Sequence, residues 1–157
     1  MTRRRMVALA AASQKIGFVF IKGHEVLDWG LARKASHSVD AAFEQAVAWI
    51  NYYKPSRVVI EAIDGGSRKG KHTISLIHAF GGAAHDRKVR LIAVPRRRQH
   101  RNKYIEAAAL ATKHPRLGPW LPKTRLSWES EPHKIIIFEA LGLAEECLGG
   151  EGSVVEG

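Results

Sequence analysis

The chain has 157 residues, with 25 Lys and Arg against 15 Asp and Glu, a formal charge of +10, and 45% apolar residues. That length and apolar content fit one globular domain with a sizeable core, and no run approaches the roughly 18 apolar residues of a transmembrane helix, which excludes one. The single cysteine, Cys147, excludes a disulfide framework and a cysteine-based zinc site and suits a reducing, cytoplasmic setting, while the charge favours a polyanionic partner, nucleic acid ahead of an anionic membrane surface.

At the start of the chain, Arg3-Arg4-Arg5 followed by Met6 to Ala12 has the order of a secretion signal. Seven apolar residues, four of them alanine, are the lower limit for one, and the same residues read as a strand over 5–12. A second strand spans 15–23 and a third 24–33, with Gly23-His24 as the turn between them. Connections this short imply an antiparallel meander.

The period then changes. Val39, Ala42, Phe43, Ala46, Val47, Ile50 and Tyr53 recur at steps of three and four, which predicts an amphipathic helix over 38–54. Ser38 serves as its N-cap and Pro55 as its stop. RVVIEAI (57–63) is β-branched and predicts a strand buried on both faces. GGSRKGKH is a polar loop, and a helix follows over 73–87, where Gly81 and Gly82 permit close packing. A fifth strand covers 89–95. After the basic run RRRQHRNK comes an alanine-rich helix over 102–113, then an irregular stretch with three prolines (114–128). Glu131-Pro132 opens a last helix, with proline at its first position. That helix is apolar nearly all round, from Ile135 through Leu143, and a flexible glycine-rich tail is expected from 149 to 157. The order β-β-β-α-β-α-β-α-α predicts an α/β fold with a mixed five-stranded sheet, an antiparallel meander followed by parallel crossovers, flanked by helices.

Two basic clusters stand out. Arg96, Arg97, Arg98, Arg101 and Lys103 follow the fifth strand; Arg68, Lys69 and Lys71 follow the fourth. Arginine forks and helix N-terminal amides suit phosphate oxygens, although a charge run also serves as an ordinary solvated loop. Trp120 and Trp128 in the proline-rich stretch either stack on an exposed base or pin the loop to the core, and the second is preferred. The eight histidines lack metal-ligand spacing. No serine has a partnered His and Asp. The Gly70-Lys71-His72-Thr73 segment departs from a P-loop at His72.

The element order is that of the ribonuclease H-like fold, and three segments resemble its RuvC-like branch over residues 5–147. The first hairpin of that branch carries Leu-Asp-x-Gly-Ser-x-x-x-Gly-aromatic. This chain reads Leu9-Ala10-Ala11-Ala12-Ser13-Gln14-Lys15-Ile16-Gly17-Phe18, with Ala10 in the position of the aspartate; a one-residue gap moves that position to Ala11, also alanine. The second segment is Val58-Val59-Ile60-Glu61, an apolar strand closed by a glutamate. A buried carboxylate there needs compensation, by a metal ion or by pairing with Arg57 or a lysine. The third is Glu139-Ala140-Leu141-Gly142-Leu143-Ala144, similar to the family's closing Asp-Ala-Leu-x-Leu-Ala. One turn earlier, where the family often has a second acid or histidine, stands Ile136; Glu131 and His133 are the nearest substitutes.

The resemblance implies a structure-selective DNA endonuclease that resolves four-way (Holliday) junctions as a homodimer, with carboxylates holding two Mg²⁺ ions. On that reading Ala10 (in place of Asp), Glu61 and Glu139 are the catalytic positions, and Glu61 and Glu139, with Glu131, the metal ligands. An alanine at position 10 removes the bridging carboxylate, so the chain is expected to be catalytically impaired. The apolar face of the helix at 73–87 is a candidate dimer contact. Two alternatives stay open: a non-catalytic nucleic-acid-binding protein on the same fold, and a nuclease of this fold acting on RNA or flaps.

Overall fold

In a computed structural model of the chain, residues 4–63, 69–95, 102–122 and 132–150 are described. Strands β1 (Arg5–Ala12), β2 (Lys15–Lys22) and β3 (Glu25–Ala32) form the expected meander. Ser13-Gln14 makes the first turn, and Gly23 takes the left-handed conformation (φ 67°) that the second requires. The chain continues through α1 (Val39–Tyr53), β4 (Arg57–Glu61), α2 (Lys71–Asp86), β5 (Arg90–Val94), α3 (Lys103–Lys113) and α4 (Ile135–Gly150). The strand order is β3-β2-β1-β4-β5, with β4 and β5 added parallel to β1. This is the predicted mixed sheet.

Alternation along β1 divides the interior in two. Met6, Ala8 and Ala10 join Val59 in a core beneath α4 and α3, whereas Val7, Leu9 and Ala11 join Val58 and Ile60 in a core beneath α1 and α2. With both faces covered, β1 is apolar along almost its whole length. The α1 side is closed by aromatic packing: Phe18 lies against Trp49 and Tyr53, and Phe20 against Tyr53. The Tyr53 hydroxyl donates to Asp28 at 2.5 Å, which ties the end of α1 to β3. Burial first, and then that carboxylate, hold the Tyr53 phenol above its usual pKa.

Local capping follows the sequence where side chains do the capping. Ser38 Oγ accepts from Ala41 N at 3.0 Å at the start of α1, and Asn102 Oδ1 accepts from Tyr104 N and Ile105 N at the start of α3. The chain leaves α1 through Lys54 in the left-handed region (φ 48°), just ahead of Pro55.

Four expectations are corrected. Val39, counted on the apolar face of α1, is exposed, while Ala42, Ala46 and Ile50 of that face are buried and Phe43, Val47 and Tyr53 pack against the same core. The stretch after α3 is not wholly irregular, since Pro115–Trp120 forms a 3-10 turn around the fully buried Leu117. Pro132 precedes α4 by three residues rather than opening it: i→i+3 bonds from Ile135, Ile136 and Ile137 to Pro132, His133 and Lys134 tighten the entry into a 3-10 turn. At its other end α4 continues through Gly149 and Gly150, past the expected start of the tail, because Leu143, Ala144 and Cys147 keep its last turns on the core.

The apolar face of α2 is not left for a partner. Leu76, Ile77, Phe80, Ala83 and Ala84 are buried against α1 and the sheet, while His78, Gly82 and His85 face outward. A helix covering a sheet presents its apolar stripe inward, so a dimer contact on α2 would have to use this polar side.

Candidate active site

The parallel register of β1 and β4 places the first two predicted positions. Met6, Val7 and Ala8 lie level with Arg57, Val58 and Val59. Two further steps along both strands, Ala10 and Glu61 occupy corresponding places at the carboxyl ends of adjacent strands. Because side chains alternate, Ala10 and Glu61 share the face of Met6, Ala8 and Val59, the one beneath α4.

Gly17 brings the third position to this face. It pairs with Ala10 across the β1–β2 ladder, and a Cβ there would meet Ile136 Cγ2 at 2.7 Å. The missing side chain lets α4 settle onto β2 beside Ala10. Glu139, three residues after Ile136, lies on the same side of α4 and is partly exposed, whereas Ile136 is fully buried. The isoleucine found where the family often carries an acid is thus a packing residue, held under the glycine.

Two lysines complete the setting. Lys69, just after the fourth-strand loop, places Nζ 3.8 Å from Glu61 Oε1 and donates to the Ala11 carbonyl at 3.4 Å. Of the two pairings considered for Glu61, the lysine is the one formed with β1; Arg57 sits at the opposite end of β4. The ammonium of Lys69, one of the basic residues after the fourth strand, is turned toward the strand ends. Lys15, opposite Ala12 on β2, is almost fully buried and reaches the Pro132 carbonyl at 3.4 Å, just ahead of α4. Sequence reasoning missed Lys15. Its signal was a charged residue opening an otherwise apolar strand, KIGFVFI, on the parity of Gly17 and Val19.

Of the other predicted contacts, Lys71 begins α2 and is exposed, and Lys103 begins α3 and is partly buried. Arg68, Arg96, Arg97, Arg98, Arg101 and Glu131 lie outside the described residues, as does Trp128. The strands that these basic segments follow in sequence end side by side, since Glu61 and Val94, the last residues of β4 and β5, are paired. Trp120 packs edge-on to Trp29 at 6.1 Å, with Lys134 Nζ 5.5 Å from its ring centroid. It is 38% exposed, so it leans on a neighbouring tryptophan rather than entering the core.

The described residues do not by themselves fit the expected metal pair. Mg²⁺ requires several oxygen ligands, and Ala10 supplies none. Among the described residues no group of three or more His, Cys, Asp and Glu side chains is placed to hold a metal ion. The carboxylate that is best positioned, Glu61, has an ammonium beside it.

Another charged cluster lies at the other end of the sheet. Lys113 Nζ and His114 Nε2 each meet a Glu145 carboxylate oxygen at 2.5 Å, joining the end of α3 to α4. Burial alone would raise the Glu145 pKa, but the hydrogen bonds from His114 and Lys113 outweigh it and lower the value. An open groove of about 640 Å³ adjoins this cluster, lined by Gly23 to Val26 and Lys113 to Arg116. It is remote from Ala10 and Glu61.

No protein-family model and no curated protein sequence matches the chain. Solved structures do. Thermus thermophilus RuvC superposes with a TM-score of 0.61 at 14% identity, over 93% of this chain and 96% of that one. The same protein in complex with a Holliday junction substrate gives 0.59 at 11%, over 94% and 95%. The fowlpox virus Holliday junction resolvase gives 0.59 at 8%, over 93% and 99%. On these superpositions, with its mixed five-stranded sheet flanked by helices, the chain has the ribonuclease H-like fold of the RuvC-type Holliday junction resolvases.

Proposed function

We propose that this chain is a branched-DNA-binding protein built as a RuvC-type junction-resolving endonuclease, with a cutting centre impaired at position 10. The observation that carries this reading is the register that sets Ala10 level with Glu61, under the helix that bears Glu139. On this fold that corner gathers residues from three elements far apart in sequence, and two of the three are carboxylates. The basic segments after β4 and β5 leave the sheet at the same corner, which supports a phosphodiester backbone as the partner. The neighbours' Holliday junctions supply the class of substrate by analogy of fold.

Mg²⁺ belongs, in this proposal, to the form with an aspartate at position 10, where the added carboxylate with Glu61 and Glu139 would supply the hard oxygen donors. Resolution of a four-way junction needs two nicks, so the working unit is proposed to be a homodimer. The polar side of α2 and the partly exposed β5 remain available for its interface. A second reading, a binding protein that never cuts, is favoured by one observation, the Lys69 ammonium beside Glu61.

Competition binding tests the shared core of both readings. A labelled four-way junction is titrated with the chain at moderate salt without divalent metal, then challenged with duplex DNA, flap DNA and structured RNA. Preference for the junction over duplex, with affinity falling steeply as salt rises, is the expected result. Equal binding to duplex and junction would remove branched DNA as the partner, and preference for RNA would move the protein to RNA chemistry.

A further inference from the structure

The strand ends at the site carry positive charge where a metal-dependent nuclease gathers negative charge. Lys69 Nζ spans the Ala11 carbonyl of β1 and the Glu61 carboxylate of β4. Lys15, on the α4 face of β2, adds a second ammonium on the other side of β1 and is only 4% exposed. Burying a lysine is costly unless its charge is compensated, and for the half-buried Lys69 the Glu61 carboxylate at 3.8 Å supplies a compensating charge. The position that would add a carboxylate is Ala10, a methyl group packed in the α4-side core.

We propose that this site is neutralised internally, with the Lys69 ammonium standing as the counter-charge of Glu61, and that the chain as it stands takes up no divalent cation there. Three features point the same way: the absent oxygen donor at position 10, the ammonium beside the best-placed carboxylate, and the isoleucine packed under Gly17 where another ligand would stand. An ammonium disfavours a dication in two ways. It repels the ion directly, and it occupies the carboxylate charge that would repay the ion for losing water. Restoring an aspartate at position 10 alone would place the new carboxylate beside the same ammonium. Removing Lys69 as well is therefore needed for tight metal binding. The inference rests on where the site was placed above, but not on DNA being the partner.

Mn²⁺ binding followed by electron paramagnetic resonance tests it on the full chain, compared with Ala10→Asp, Ala10→Asp/Lys69→Met and Ala10→Asp/Lys69→Arg. The parent should bind no Mn²⁺ up to about 1 mM, the weak end of protein sites for divalent ions. Ala10→Asp/Lys69→Met should bind about tenfold or more tighter than Ala10→Asp, while Ala10→Asp/Lys69→Arg, which keeps the positive charge, should not. Equal affinity in Ala10→Asp with and without Lys69 would overturn the proposal. Should the aspartate variants fail to fold, the parent decides alone. Mn²⁺ bound by the parent and lost in Glu61→Gln would overturn the proposal, and its absence from the parent would uphold it. Metal-free junction binding, measured on the same samples, separates failure of this proposal from failure of the DNA reading.

Discussion

The two ends of the sheet treat a carboxylate differently. At one end Glu145 receives hydrogen bonds from Lys113 and His114, both at 2.5 Å. At the other, Glu61 faces the Lys69 ammonium at 3.8 Å, a distance at which charge is balanced without a hydrogen bond. The first pair fixes one helix against another and has the geometry of a structural tie. The second sets two groups of opposite charge close together at the carboxyl ends of the adjacent parallel strands β1 and β4. In open α/β sheets ligands bind at the carboxyl ends of strands, and here that end also gives rise to both basic segments.

Substitutions at the two ends can break this contrast. The largest effect is expected where the site meets the core, at Gly17→Ala. The added methyl meets the Ile136 side chain at 2.7 Å and its backbone carbonyl carbon at 3.3 Å, so α4 must shift. A loss of about 1–3 kcal/mol in urea unfolding is expected from overpacking; an unchanged midpoint would mean that α4 does not bear on β2 as described.

Next comes Glu145→Gln, which keeps the shape and removes the charge-assisted bonds, at a cost of about 1–2 kcal/mol at pH 7. The sign of the pH dependence is fixed by the lowered pKa of the folded state. The stabilisation is complete above the unfolded carboxyl value of about 4.3 and is lost as pH falls through the lower folded value. Parent and variant should therefore differ fully at neutral pH and converge in acid, as followed by thermal unfolding between neutral and acidic buffers. A difference that persists unchanged into acid would assign the effect to packing.

The smallest effect is expected at Glu61→Gln, within about 0.5 kcal/mol of the parent and of either sign, since residues at binding sites are commonly not optimised for stability. A loss as large as that of Glu145→Gln would make Glu61 another structural tie and dissolve the contrast between the ends.

Much of this was legible in the chain. The change from a period of two to steps of three and four located the meander and α1, and apolar runs such as RVVIE located the central strands, because burial on both faces leaves no room for polar residues. The Ala10, Glu61 and Glu139 positions came from the resemblance of three short segments to the RuvC-like pattern, and the β1–β4 register sets the first two level. What stayed hidden depended on partners distant in sequence. Lys15 drew no reading of its own and Lys69 stood only as one of a basic cluster suited to phosphate; the fold is what brings Pro132, Ala11 and Glu61 to their head groups. The apolar stripe of α2 looked available to a second protomer because periodicity marks a buried face without naming what buries it; here α1 and the sheet do. The late start of α4 was hidden for a local reason. Proline fits the first turn of an α-helix and a 3-10 entry equally well.

The central proposal is that a junction-cutting centre is impaired by the alanine at position 10 and counter-charged by Lys69. Cleavage of an end-labelled four-way junction with Mg²⁺ by the parent, Ala10→Asp and Ala10→Asp/Lys69→Met tests it most directly. The account predicts that the parent binds without cutting and that the double variant nicks opposing strands at symmetric positions, faster than Ala10→Asp. Junction binding by all three with cleavage by none would contradict it, leaving Glu61 and Glu139 as parts of a surface that only binds.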